Sequence, residues 1–256
     1  MELAHLASLC GLAGIAITDH DILPDPTMLA DAGRARGVQM LAGIELSTVW
    51  NHRRLHLLGY GFDTASRTPL HDLCDEVLAA RHERWEKLIA GLKAKNVKLD
   101  DAALARLRHQ GSPGRKHLAR ELVRLRRASS VRVAFDKYLS PLDADLSPIG
   151  IDLARAIQAI HDSAGVAVLA HPPTGMTVDE WRALALLGLD GIETRFGKVA
   201  NTHRRFLEDR AKEYGWIQTA GSDYHGDGTR NHLGLHSVKR SDLDELFARR
   251  SPVTSD

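Results

Sequence analysis

The sequence predicts an α/β fold in which largely parallel strands close into a barrel of the (β/α)n kind, interrupted by an all-helical segment. Three observations carry this expectation. Short apolar runs alternate with stretches of helical periodicity, the alternation stops after Asp63 and resumes at Ile151, and polar residues recur just past the apolar runs. A strand that reaches its neighbour through a helix returns to the same end of the sheet, so repeated strand and helix units stack strands in parallel. At least six such strands are expected from the sequence, which makes a barrel the natural closure.

In order, residues 1–10 carry apolar side chains at helical spacing and stop at Gly11, and 14–17 form a short apolar strand leading into Thr18-Asp19-His20-Asp21. Residues 28–36 read as a helix closed by Gly37, 38–44 as a buried strand ending at Glu45, and 55–60 as a strand carrying His56. Segments 76–95, 100–109 and 115–127 are charged, amphipathic and helical, with no strand between them. After Ile151 come a helix to Ala164, a strand at 166–169 before Ala170-His171-Pro172 and a helix around 181–187. A strand at 191–194, a helix at 201–214, a strand at 216–219 leading to Gly221-Ser222-Asp223-Tyr224-His225-Gly226 and a last basic helix at 239–250 complete the chain.

A chain of 256 residues with 43% hydrophobic and 26% charged content can bury a large core, which excludes a disordered or fibrous class. No apolar run approaches the roughly 18 to 20 residues needed to cross a bilayer, and the N-terminus lacks the basic-then-apolar layout of a signal peptide. The expectation is a cytoplasmic protein with no membrane contact and no evident obligate protein partner. Cys10 and Cys74 are too few for a disulfide framework and lack CxxC spacing, which fits a reducing compartment.

The net charge of +1 conceals an asymmetry: residues 77–140 hold 16 Lys and Arg against 6 Asp and Glu, so that segment carries +10 and the remainder −9. A basic segment beside an acidic body suits an anionic substrate held near a cation-binding centre; a solvated helical surface accounts for the same charge.

The placement of the polar residues points to chemistry. His20, Glu45, His171 and the pair Asp223 and His225 each follow a predicted strand, and His56 lies within one, so six candidate ligands converge on the end where parallel barrels build their sites. Any one of them is more often structural: a strand-end histidine is commonly a hydrogen-bonded core residue, and Glu45 or Asp223 could cap the following segment. Their coincidence is what points to metal. Imidazole with carboxylate and no thiolate suits Zn, Mn or Fe, and a bridging carboxylate can hold ions close enough to clamp both oxygens of a phosphoester displacement.

These residues lie in segments that resemble, in order, the motifs of the PHP (polymerase and histidinol phosphatase) family: Ile17-Thr18-Asp19-His20-Asp21, Gly43-Ile44-Glu45-Leu46-Ser47, Leu55-His56-Leu57-Leu58-Gly59-Tyr60, Ala170-His171-Pro172 and Gly221-Ser222-Asp223-Tyr224-His225-Gly226. Gly114-Arg115-Lys116-His117 resembles the GRPH-like element of the subgroup that dephosphorylates nucleoside 3',5'-bisphosphates and trims short RNA from the 5' end, with Lys116 in place of the usual proline. Residues 133–139 also fit that subgroup's insertion.

The resemblance implies a distorted (β/α)7 TIM-like barrel, with barrel segments at 1–76 and 149–256 and an all-helical insertion, a lid, at 77–148. It implies two or three divalent ions (Mn, Zn or Fe): Glu45 bridging two of them, His56 and His171 completing one, Asp223 serving another, and His20 with His225 holding a third. Catalysis would fall to Glu45, Asp223 and His225, with Asp19 orienting ligands from behind and Arg115 and His117 binding the substrate phosphate. The family's first strand, which bears an HxH pair and an aspartate, has no counterpart here; the expectation is a start site upstream of Met1, the alternative a truncated product.

The expected activity is metal-dependent hydrolysis of phosphate esters of nucleotides or short oligoribonucleotides. Its rivals are phosphatase action on another small phosphomonoester such as histidinol phosphate, and a catalytically impaired domain that only binds.

Overall fold

In this computed structural model the described residues are 2–97, 99–108, 114–143, 146, 150–224 and 232–248. The chain divides into two compact units, Met1–Leu73 with Gly150–Asp256, and Cys74–Ile149.

The first unit is built on a mixed sheet with strand order β1-β2-β3-β5-β6-β7, where β1 is Gly14–Ile17, β2 Gln39–Trp50, β3 Arg53–Tyr60, β5 Val166–Leu169, β6 Gly191–Phe196 and β7 Ile217–Gly221. The two-residue β4, Ile151–Asp152, pairs with Thr48 and Val49 of β2, past the stretch of β2 that β1 pairs with. The sheet curls: Ala16 and Leu41 from one end of the order and Ile217 from the other pack into one cluster with Leu58, Tyr60, Val166 and Val168. Helix α8 (Leu153–Asp162) covers β2, β3 and β5, and α10 (Asn201–Tyr214) covers β6 and β7. Helices α1 (Glu2–Leu9), α2 (Pro26–Arg34) and α9 (Val178–Leu186) precede β1, β2 and β6, and α11 (Arg240–Ala248) packs on β7.

Two features depart from the uniform parallel alternation that the sequence predicts. Strand β2 does not end at Glu45 but runs on to Trp50, and β3 pairs with it antiparallel, residue for residue from Gly43 opposite Tyr60 to Trp50 opposite Arg53. The cause is the two-residue link Asn51-His52. Both residues have positive φ, 46° and 62°, the backbone of a tight hairpin whose twist matches the strands, and so no crossover helix intervenes. Strand β3 is consequently antiparallel to β5 as well, while β1/β2, β5/β6 and β6/β7 are parallel. Residues 151–152, expected to begin a helix, instead form β4 and cap α8 through the Asp152 side chain.

Register orders the interior into layers, because residues opposite one another on adjacent strands share a face. Glu45, Leu58, Val168, Gly191 and Ile217 form one layer. Two residues further along, Ser47 faces His56 and Glu193 faces Thr219. The first of these layers is apolar apart from Glu45, and the second, polar one stands nearer the end towards which the parallel strands run.

Among the described residues the second unit is helical: the greater part of α3 (Pro69–Ala94), α4 (Asp101–Arg108), α5 (Arg115–Arg124), α6 (Val131–Ala134), a π-helical turn at Phe135–Leu139 and α7 (Ser140–Asp143). Its own core gathers Trp85, Leu88, Leu92, Leu118, Leu122 and Leu139. No described helix of either unit is long and apolar enough to cross a membrane.

Candidate metal centre

Four of the residues singled out in the sequence meet at the polar rim. Glu45 projects from the middle of β2, His56 from β3, and His20 and His171 follow β1 and β5. The Glu45 Oε1 lies 2.8 Å from His56 Nδ1 and 3.1 Å from His171 Nε2, and those two nitrogens are 3.0 Å apart. His20 Nδ1 approaches the other carboxylate oxygen at 3.8 Å. His20, Glu45 and His56 each offer a donor atom, and these atoms fall within 4.8 Å of one another.

The backbone explains why the side chains meet. Glu45 N–H donates to the Asp19 carbonyl at 3.2 Å and Asp21 N–H donates to the Glu45 carbonyl at 3.0 Å, so the turn after β1 is zipped to β2 on both sides of Glu45. Asp21, with φ 56° and only 1% exposed, secures that turn: its carboxylate accepts from the Ser47 N–H at 2.7 Å and the Ser47 hydroxyl at 2.9 Å. Close approach is needed here. A Cβ on Gly43 would lie 2.8 Å from the Ile17 carbonyl oxygen, so only glycine lets the end of β1 come this near β2.

Burial pushes the Glu45 carboxyl upward. Hydrogen bonds from His171 and His56 and the charges of His20 and His56 outweigh it and hold the group well below the usual carboxylate range. Burial likewise disfavours charge on His171, yet Glu45 and Glu193 raise it overall. Glu193 is 6% exposed and is pushed up to about 7, by burial first and by the charges of Glu45 and Asp223, against the opposing His171 N–H. Tyr60 is driven far above the ordinary phenol range by burial and by Glu193 and Glu45, so the floor beneath the carboxylates stays neutral.

This donor set fits a divalent cation. The triangle of Glu45 Oε1, His56 Nδ1 and His171 Nε2 has edges of 2.8, 3.1 and 3.0 Å. Ligand atoms at about 2.1 Å from one ion and at right angles stand roughly 3.0 Å apart, and imidazole with carboxylate is a Zn, Mn or Fe set.

The remaining predicted residues stand elsewhere. Asp223 is exposed, two residues past β7, with φ 49°, and its charge acts on Glu193. His225 lies outside the described residues. Asp19 contributes its carbonyl to Glu45, while the buried carboxylate that supports the turn belongs to Asp21, which the sequence reading quoted in its motif without giving it a role. Arg115 and His117 belong to the helical unit. There the Arg115 guanidinium pairs with Asp143 and lies over the Phe135 ring at 5.8 Å, and His117 Nδ1 accepts from the Gly114 N–H at 3.1 Å. Burial, then Arg120, Lys116 and Arg81, lower the His117 pKa.

Glu193 escaped the sequence reading altogether. The signal was a lone acid near the C-terminal end of the strand Gly191-Ile192-Glu193-Thr194, where a buried charge needs a reason.

No family model matches the chain. It is 30% identical over 237 residues to the 5'-3' exoribonuclease Rnm of Escherichia coli, covering 87% of this chain and 78% of that one. It is also 30% identical over 221 residues to the 3',5'-nucleoside bisphosphate phosphatase of Chromobacterium violaceum, covering 84% and 77%. A crystal structure from Bifidobacterium adolescentis, assigned as a metal-dependent phosphoesterase, superposes with a TM-score of 0.87 at 25% identity over 98% of this chain and 91% of that one. Fold, donor set and relatives together define a metal-dependent hydrolase. The chain belongs to the family of phosphoesterases that these enzymes represent.

Proposed function

We propose that this phosphoesterase acts on nucleotides or short oligoribonucleotides, as a 3',5'-bisphosphate nucleotidase or a 5'-3' exonuclease, on a distorted (β/α)7 PHP barrel. The observation that carries the chemistry is the triangle of Glu45, His56 and His171 donor atoms at one rim. The named activities of both relatives support the substrate class.

In this reading Glu45 would be a ligand shared between ions, His56 and His171 would complete the ligands of one, Asp223 would serve another, and His20 with His225 would hold a third. Divalent ions there, Mn, Zn or Fe, would supply Lewis acidity that brings water towards ionisation near neutral pH and offsets charge on phosphoryl oxygens. The protein's own work is positioning. Asp21 and Asp19 keep the turn bearing His20 against β2, and neutral Tyr60 keeps charge out of the floor. The residues of the 77–148 insertion supply Arg115, whose planar fork suits phosphate oxygens, and His117, and the net charge of +10 over residues 77–140 favours an anionic substrate.

The test is Mn-dependent phosphate release from a nucleoside 3',5'-bisphosphate and nucleotide release from a 5'-phosphorylated oligoribonucleotide. Glu45→Gln is expected to lower both by more than about a hundredfold, since it removes a ligand where outer supports alone are worth 10- to 100-fold. Unchanged rates would refute the bridge, and faster turnover of histidinol phosphate would overturn the nucleotide assignment.

A further inference from the structure

We infer that Glu193 is a positioning residue of the candidate metal centre, holding the backbone of His171 in the turn that aims its imidazole at Glu45 and His56. The inference rests on the metal-centre reading above and adds a residue that contributes no ligand atom to it.

His171 stands two residues past the end of β5, and its φ of 29° lies in the left-handed region that residues with a Cβ avoid. Such backbone persists only where the surroundings over-determine it. Here the preceding residue is fixed first: Ala170 N–H donates to the His56 carbonyl at 3.0 Å, which keeps the chain in register with β3 up to the turn. The next N–H, that of His171, donates to a side chain, Glu193 Oε2 at 2.7 Å. The turn therefore hangs on one buried carboxylate from the neighbouring strand. Its product is the ring position in which His171 Nε2 lies 3.1 Å from Glu45 Oε1 and 3.0 Å from His56 Nδ1.

Two features of β6 and β7 make room for this carboxylate. The pairing of β6 with β7 slips between Glu193 and Arg195, a bulge of the kind that re-aims side chains beside sites. On β7, a Cβ at Gly221 would collide with Glu193 Oε1, so glycine there leaves the space that the acid occupies. A carboxylate 6% exposed is otherwise an expensive residue for a strand interior, where valine or isoleucine would pack without penalty.

The experiment measures Mn²⁺ affinity and stoichiometry by calorimetry on the full chain, with kcat and KM alongside, for Glu193→Ala, Glu193→Gln, Gly221→Ala and His171→Ala. Glu193→Ala is expected to weaken Mn²⁺ binding about 10- to 100-fold, the usual effect of losing a group that orients a ligand. Glu193→Gln, whose amide oxygen still accepts the His171 N–H, is expected to stay within about threefold of the parent. Gly221→Ala, which displaces the carboxylate without removing it, is expected to follow Glu193→Ala.

The positioning role is overturned if Glu193→Ala binds Mn²⁺ like the parent while His171→Ala does not. It is equally overturned if Glu193→Gln is as defective as Glu193→Ala, because the charge rather than the hydrogen bond would then be what matters. Should His171→Ala itself leave Mn²⁺ affinity unchanged, the metal-centre reading falls and the positioning role falls with it. A folded far-ultraviolet spectrum for Glu193→Gln keeps the comparison independent of any loss of fold in the alanine variant.

Discussion

Each unit buries a carboxylate in a nest of basic side chains, and the two nests have opposite designs. Asp143, 7% exposed, is held by Arg84 and by Arg115, whose guanidinium groups stay charged at any physiological pH. Glu45, 9% exposed, is held by three imidazoles, side chains that are also ligands for a metal ion. The first cluster carries its own permanent cations and is complete as a structural element. The second is made of groups that can all turn to a cation from outside, since imidazole and carboxylate are both metal ligands. Burial of charge is therefore a poor guide to function by itself; whether the partners can also ligate a metal separates a brace from a site.

That contrast predicts opposite responses to removal of the central acid. Asp143→Ala leaves the Arg84 guanidinium, itself 9% exposed, without its buried carboxylate, a change that typically destabilises by about 3 to 5 kcal/mol. Hydrogen exchange should show the loss across residues 74–149, while Mn²⁺ affinity of the rim cluster stays within about twofold, because sites that share no partners behave independently. A fall in Mn²⁺ affinity comparable to that of His171→Ala would erase the distinction between brace and site.

A smaller effect is expected where the two designs meet in one residue. Asp21 is a brace inside the site: buried, accepting hydrogen bonds from the Ser47 N–H and hydroxyl, and adjacent to His20. Asp21→Ala should weaken metal binding about 10- to 100-fold, or roughly 1.4 to 2.7 kcal/mol, without removing a ligand. Asp21→Asn, which keeps one acceptor for the Ser47 N–H, should fall between the variant and the parent. Calorimetric titration with Mn²⁺ ranks the three, and an alanine variant indistinguishable from the parent would show that the turn holds His20 without help.

The site was more legible in the sequence than the topology around it, for reasons that particular residues make plain. His20, Glu45, His56 and His171 announce themselves by their coincidence, polar side chains recurring at or within successive apolar runs, and the fold brings all four together. Strands β1 and β5 were legible for the same reason: each is a short apolar run between glycine, polar or proline breaks. What the sequence hid was direction. An apolar run looks the same whether it pairs up or down, and only the positive φ values at Asn51 and His52 disclose that β3 turns back on β2. The supports were hidden too. Asp21 and Glu193 act through backbone N–H groups 26 and 22 residues away, a relation that no local spacing records.

The smallest expected effect lies at the opposite end of the strands from the metal site, where a histidine serves as a brace. His161 on α8 meets Asp190, just before β6, with Nε2 2.7 Å from Oδ2, and the same oxygen accepts the Ala167 N–H at 2.8 Å. The Asp190 hydrogen bond raises the His161 pKa above its ordinary value near 6.5, with burial opposing. A group whose folded pKa is raised stabilises fully below its unfolded value and loses that contribution as pH climbs through the folded one. Stability from this pair is thus greatest below about pH 6.5 and declines above it. Both partners are partly exposed, at 29% and 24%, so the amount is at most about 1 kcal/mol, or roughly 2 to 4 °C in Tm. His161→Gln should remove that slope from a plot of Tm against pH between about 6 and 8.5, leaving Mn²⁺ affinity unchanged. If the variant kept the parent's slope, the titration would belong to other histidines, with those that face Glu45 the next to test.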